Sequence, residues 1–198
     1  MKKGVLLILV LVILGIAGWM IWGGKKENKP EEKQKPLTKA ENTDAFNSSF
    51  GVMLNTYFKL KDALVASDTA KASAAALELA TAADSLKIDE IRADTMGVLK
   101  LTAEEYAGTI NGSAKGLAGE KTIEAKRQEF KMITDALYVL FQTVRYNEQK
   151  IYWIHCPMAF NNTGAYWINQ DSTVRNPYFG DKMLTCGTVE GQLDFTQQ

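Results

Sequence analysis

The stretch FNSSFGVMLNTYFKLKDAL, residues 46–64, carries large apolar side chains at Phe46, Phe50, Met53, Tyr57, Leu60 and Leu64. An α-helix turns once every 3.6 residues, so spacings that alternate between four and three put all six on one face. Ser67 and Asp68 follow and offer a cap for a second helix. That helix is TAKASAAALELATAADSL, rich in alanine, with high helix propensity and side chains small enough for close helix–helix approach. The segment Lys87–Gly97 predicts a short helix ended by Gly97. Thr102 and Glu105 form a capping-box pattern, which predicts a third helix from there to about Asn111. The glycines of NGSAKGLAG, residues 111–119, predict a loop. A long last helix is expected from about Glu120 to Asn147, with Ile123, Phe130, Ile133, Leu137, Leu140, Phe141 and Val144 on its apolar face. Lys126, Glu129 and Asp135 are expected on the solvent side. Amphipathic segments with short joins predict a mainly α fold, an antiparallel helical bundle.

Upstream of the bundle the chain changes character twice. Met1, Lys2 and Lys3 precede an uncharged run, GVLLILVLVILGIAGWMIW, residues 4–22. A helix of about 19 residues just spans a bilayer core, and Trp19 and Trp22 sit where indoles suit the interface. Residues 1–24 therefore read as a transmembrane anchor, with a cleavable signal segment as the alternative. Either exports the remainder of the chain, which places the domain in the cell envelope, on the periplasmic side of the inner membrane. Residues 25–40 are dense in Lys, Glu, Gln and Pro and read as a flexible charged linker. Residues 41–198 remain as the folded domain. The chain has 23 basic and 23 acidic residues, with no basic surplus to hold a phosphate backbone, so nucleic acid is not an expected partner.

After Asn147 the helical period stops. Residues 151–189 are dense in aromatics, Gly, Asn and Pro, and predict a short irregular or β-containing motif with extended pieces and turns at Gln170–Ser172 and Asn176–Pro177. Trp153, Tyr166, Trp167, Tyr178 and Phe179 are available to pack it on the bundle. The motif also holds the one histidine and both cysteines of the chain, in YWIHCPMAF and MLTCG. Pro157 favours an extended Cys156, so Cys156 and Met158 can share a face while His155 points away. Met183 and Cys186 are one helical turn apart. If the two pieces meet, Cys156, Met158, Met183 and Cys186 form a soft donor set suited to Cu(I) or Ag(I), with His155 as a borderline or supporting ligand. The structural alternative is a Cys156–Cys186 disulfide, common in exported proteins and worth roughly 3–4 kcal/mol for a loop of this length. The methionines would then be apolar filler.

The tail resembles the C-terminal signature of a family of uncharacterised bacterial envelope domains. Its elements are CPM at Cys156–Met158, GAxW at Gly164–Trp167, NPYxG at Asn176–Gly180 and MLxCG at Met183–Gly187. The helical region from about Phe46, including YFKLKDALVASD, resembles the same family more loosely. A similar tail occurs on periplasmic adaptor subunits of copper/silver efflux pumps, and the resemblance implies a metal-handling role with efflux components as partners. Some members look like lipoproteins, whereas this chain has no cysteine in or just after its apolar run. The expectation is a non-enzymatic, membrane-tethered metal binder. The runner-up is an interaction or scaffold domain closed by a disulfide. No P-loop, dinucleotide fingerprint, di-iron pattern or nucleophile–base pair is visible, so no catalytic residue is assigned.

Overall fold

The computed structural model describes residues 41–92 and 94–197. The expected membrane segment, residues 1–24, and the linker, residues 25–40, lie outside the described residues. Among the described residues no helix is long and apolar enough to cross a membrane.

Four long helices form the bundle: α1 Asp44–Val65, α2 Thr69–Asp84, α3 Val98–Gly119 and α4 Ile123–Val144. Each N-terminus except that of α3 is capped by a side chain. Thr43 Oγ1 accepts from Phe46 N, Asp68 Oδ1 from Lys71 N and Thr122 Oγ1 from Ala125 N. Such caps satisfy amides that the helix itself leaves unpaired. The six apolar positions that define the face of α1 are all fully buried. On α4, Phe130, Ile133, Leu137, Leu140, Phe141 and Val144 are likewise fully buried. Between them α2 contributes mostly alanine to the core.

Two predicted boundaries were wrong. Residues 111–119 are the last turns of α3, not a loop, and the helix starts at Val98 rather than Thr102. The apolar period explains this: Ala103, Ala107, Ile110, Ala114 and Leu117 are buried at alternating steps of four and three, straight through the glycines. Burial of that face outweighs the weak helix propensity of three interior glycines. Residues 87–97 form a 3₁₀ turn, Ile88–Glu90, and a two-residue strand β2 (Ile91–Arg92), rather than a short α-helix. β2 pairs antiparallel with β1, Glu41–Asn42.

The tail is more regular than its composition suggests. Strands β3 (Ile151–Cys156), β4 (Ala165–Asn169) and β5 (Thr188–Leu193) form an antiparallel sheet in the order β4-β3-β5. Ile154 pairs with Trp167 on one side and Val189 on the other, beside a bulge at Trp153/Ile154. The sheet is tied to the bundle by polar contacts inside the core. Tyr57 Oη bonds with Thr134 Oγ1 at 2.8 Å and accepts from Ile168 N at 3.1 Å. Lys61 Nζ donates to Asn169 Oδ1 at 2.5 Å. Burial raises the Tyr57 hydroxyl far above its usual range and lowers the Lys61 ammonium.

Two further cations are inside, and the expected solvent position of Lys126 is wrong. Lys126 is 1% exposed and donates to Ser73 Oγ (2.7 Å) and Leu117 O (2.8 Å), which closes the C-terminal end of α3. Arg127, 5% exposed, donates from Nε to Pro177 O (2.7 Å) and from Nη2 to Leu64 O (3.2 Å) and Ser67 Oγ (3.0 Å). It thereby joins α4, the end of α1 and the tail. Gly180 lies against the same junction. A Cβ there would stand 2.8 Å from Val65 O and 2.7 Å from Ser67 Oγ, and its φ is +57°.

Arg127→Met is expected to leave these acceptors unpaired and to cost about 3 kcal/mol, lowering Tm by roughly 6–12 °C in a thermal melt. Gly112→Ala tests the helical reading of residues 111–119, since a Cβ at Gly112 meets nothing within 4 Å. A helix interior predicts stabilisation by about 0.8–1 kcal/mol in a denaturant titration, whereas a loop with positive φ predicts a loss.

Candidate functional site

The two sulfur-bearing pieces meet. Cys156 ends β3, fully buried, and Cys186 follows the 3₁₀ turn Gly180–Lys182, half-buried. Their Sγ atoms are 2.9 Å apart, and both are free thiols. The contact is common to the metal and disulfide readings. Two thiolates on one tetrahedral ion, each about 2.3 Å from it, stand about 3.8 Å apart. A disulfide brings them to about 2.05 Å. Each product therefore needs the sulfurs to move by less than about 1 Å, in opposite directions.

Asn176 holds the second piece in place, a role the sequence reading assigned only to a turn. Its side chain is fully buried. Nδ2 donates to Cys186 O at 2.7 Å, while Oδ1 accepts from Tyr178 N (2.8 Å) and Phe179 N (3.2 Å). Its backbone N–H donates to Leu184 O. An Asn just before Pro in a turn, with a cysteine ten residues on, is the signal that could have found it. Gly187 completes the fit. A Cβ there would sit 2.6 Å from Trp167 Cη2 and 3.1 Å from His155 O, so the residue after Cys186 must lack a side chain. Trp167 is fully buried, and its Nε1–H has no acceptor among the described residues.

Met158 and Met183 lie two and three residues from the cysteines in sequence. Met158, 46% exposed, follows the end of β3, and the Met183 carbonyl accepts from Cys186 N at 3.1 Å. Both line one groove of about 420 Å³. His155 stands apart from them. Its Nδ1 is hydrogen-bonded with Glu190 Oε1 at 2.8 Å, and its ring stacks on Tyr166 at 4.3 Å. Tyr166 donates to the other oxygen of Glu190 and stacks on Trp153, which stacks on Tyr138. The histidine thus caps a column of four rings. Among the described residues, no group of three or more His, Cys, Asp and Glu side chains is placed to hold a metal ion.

The neighbouring sulfur pushes the Cys186 thiol up to about 11: its S–H is held by Cys156, and partial burial and the charge on Cys156 add to this. Cys186 is therefore protonated at neutral pH. In the reduced protein, alkylation of Cys186 by iodoacetamide should be slow at pH 8 and rise about tenfold per pH unit until about pH 11. A rate that levels off near pH 8–9, followed by mass spectrometry of the modified peptide, would contradict the shared proton.

Comparison with known proteins bears on the helices and not on the thiols. No curated protein and no solved structure matches the chain. Residues 53–149, just under half of the chain, match the family described as "Protein of unknown function (DUF3347)". The match runs from Met53 in α1 past the end of α4 and stops before β3, which fits an uncharacterised domain family built on this helical bundle.

Proposed function

We propose that the protein is a membrane-tethered domain of the bacterial envelope that binds a soft monovalent cation, Cu(I) or Ag(I), and buffers it or passes it to an efflux system. One observation supports this reading: two thiols from distant parts of the tail face each other, and Met158 and Met183, two and three residues from them in sequence, line one groove together. Thiolate and thioether donors select Cu(I) over harder ions, and a two-thiolate site needs no third charged ligand. Cys156 and Cys186 are the primary donors, and Met158 and Met183 the outer ones. His155, held by Glu190, takes no part. The metal is cargo, and the domain acts by binding rather than turnover. The apolar run Gly4–Trp22 supplies the tether.

A second reading is favoured by the closeness of the sulfurs and the clamp on Cys186. In it the cysteines close as a disulfide and the domain is an interaction scaffold. One titration separates the two. The full-length protein in detergent, reduced and then freed of reductant, is titrated with Cu(I) against a coloured chelator while free thiols are counted. The metal reading expects one equivalent bound, with affinity reduced by roughly 100-fold or more in Cys186→Ser. Met158→Leu with Met183→Leu should weaken binding by a smaller factor. Unchanged affinity in Cys186→Ser, or no binding by the reduced parent, overturns it. Purified protein without free thiols or metal affinity, and unharmed by the double methionine substitution, would establish the scaffold.

A further inference from the structure

The groove that Met158 and Met183 line has features, beyond those two thioethers, that neither metal binding nor a disulfide uses. Its walls include Met158, Phe160, Tyr178, Phe179 and Met183, which are apolar or aromatic, and Arg127. Arg127 as a residue is 5% exposed, and no carboxylate lies within salt-bridge distance of it among the described residues, Glu124 acting on it only from farther off. Nε and Nη2 are both bonded to neutral oxygens, so Nη1 is its one nitrogen without an acceptor among those residues. A fixed donor bearing positive charge, in a wall that apolar side chains share with Gln128, Asn161 and Asn162, is a recognition point for a carboxylate. The structure also holds Phe160 at φ 50°, ψ 58°, a left-handed conformation that asparagine adopts readily, as at Asn161 and Asn162, and a bulky residue adopts at a cost. This sets the Phe160 ring edge-on to Tyr178, with centroids 5.4 Å apart. Backbone held against its preference beside an open cavity is a feature of ligand sites.

We propose that this groove binds a small carboxylate carrying an aromatic or thioether side chain. The carboxylate meets Arg127 Nη1, and the side chain lies among Met158, Phe160, Phe179 and Met183. The volume is within the range of small-molecule sites. Thioethers and ring edges favour aromatic and sulfur-bearing groups. Glu124 also lines the groove, but it is exposed, so water and salt screen its charge. The site stands on the geometry of Arg127 and the turn at Phe160, independently of whether the thiols bind metal.

The test uses the full-length, reduced, metal-free protein with methionine methyl groups labelled with ¹³C. The probes are N-acetyl-L-phenylalanine and its uncharged amide. The acid is expected to shift the Met158 and Met183 methyl signals saturably, and the amide to bind at least about tenfold more weakly, since it lacks the charge-assisted bond. Met183→Glu, on the half-buried rim, should abolish binding of the acid while the rest of the spectrum stays native. Arg127→Lys should weaken it if the variant folds. Equal affinity for acid and amide, undiminished binding in a folded Met183→Glu, or no methyl shift at millimolar acid would each overturn the proposal.

Discussion

A guanidinium inside a protein is expensive to desolvate, and Arg127 is answered by three neutral oxygens rather than a carboxylate. One of those oxygens is the Leu64 carbonyl in the last turn of α1, at the helix end that carries partial negative charge, and a second is the Ser67 hydroxyl just beyond it. The third is a carbonyl of the tail. A single side chain of α4 thereby fixes where the first helix stops and where the NPYFG turn is seated. The seat positions Asn176, and Asn176 positions Cys186. The placement of the thiol pair thus depends on a helix residue some thirty positions before Cys156.

How much of this was legible depends on which forces the sequence displays. Hydrophobic period is displayed directly, so the faces of α1 and α4 could be read residue by residue. The same period was present through residues 103–117, but the glycines masked it: propensity was given more weight than burial. Lys126 and Arg127 were unreadable for another reason. Their charge argues for solvent, and only the finished fold supplies the carbonyls and hydroxyls that let them stay inside. The extended pieces of the tail were legible, but their pairing was hidden because the strands are short and the partners non-local; β5 pairs with β3 across some thirty-five residues.

At the site, the sequence supplied the donor types and the structure supplied their relation. The alternation of an extended chain already separated His155 from Cys156, and the two do lie on different faces, the histidine bound to Glu190 and the cysteine facing Cys186. The spacing of residues could not say that the two sulfur-bearing pieces touch. That contact needs the Asn176 bonds and the absence of a side chain at Gly187, both of which concern backbone closeness rather than chemistry.

Burying three cations has a consequence for the outside of the molecule. The chain as a whole is balanced, but residues 41–198 hold 15 of the basic residues and 20 of the acidic ones. Lys61, Lys126 and Arg127 are withdrawn from the surface, so at contact distance twelve exposed or part-exposed cations accompany twenty carboxylates, and the field at longer range is that of a net charge of five negative. That field concentrates small cations near the domain and repels anionic lipid headgroups and anionic solutes, over a range of about 8 Å at physiological ionic strength. Added salt flattens it, slowing the arrival of a cation and easing that of an anion. The domain's long-range preference and the positive charge of Arg127 thus have opposite signs, which leaves any selection of an anion at that residue to contact distance alone.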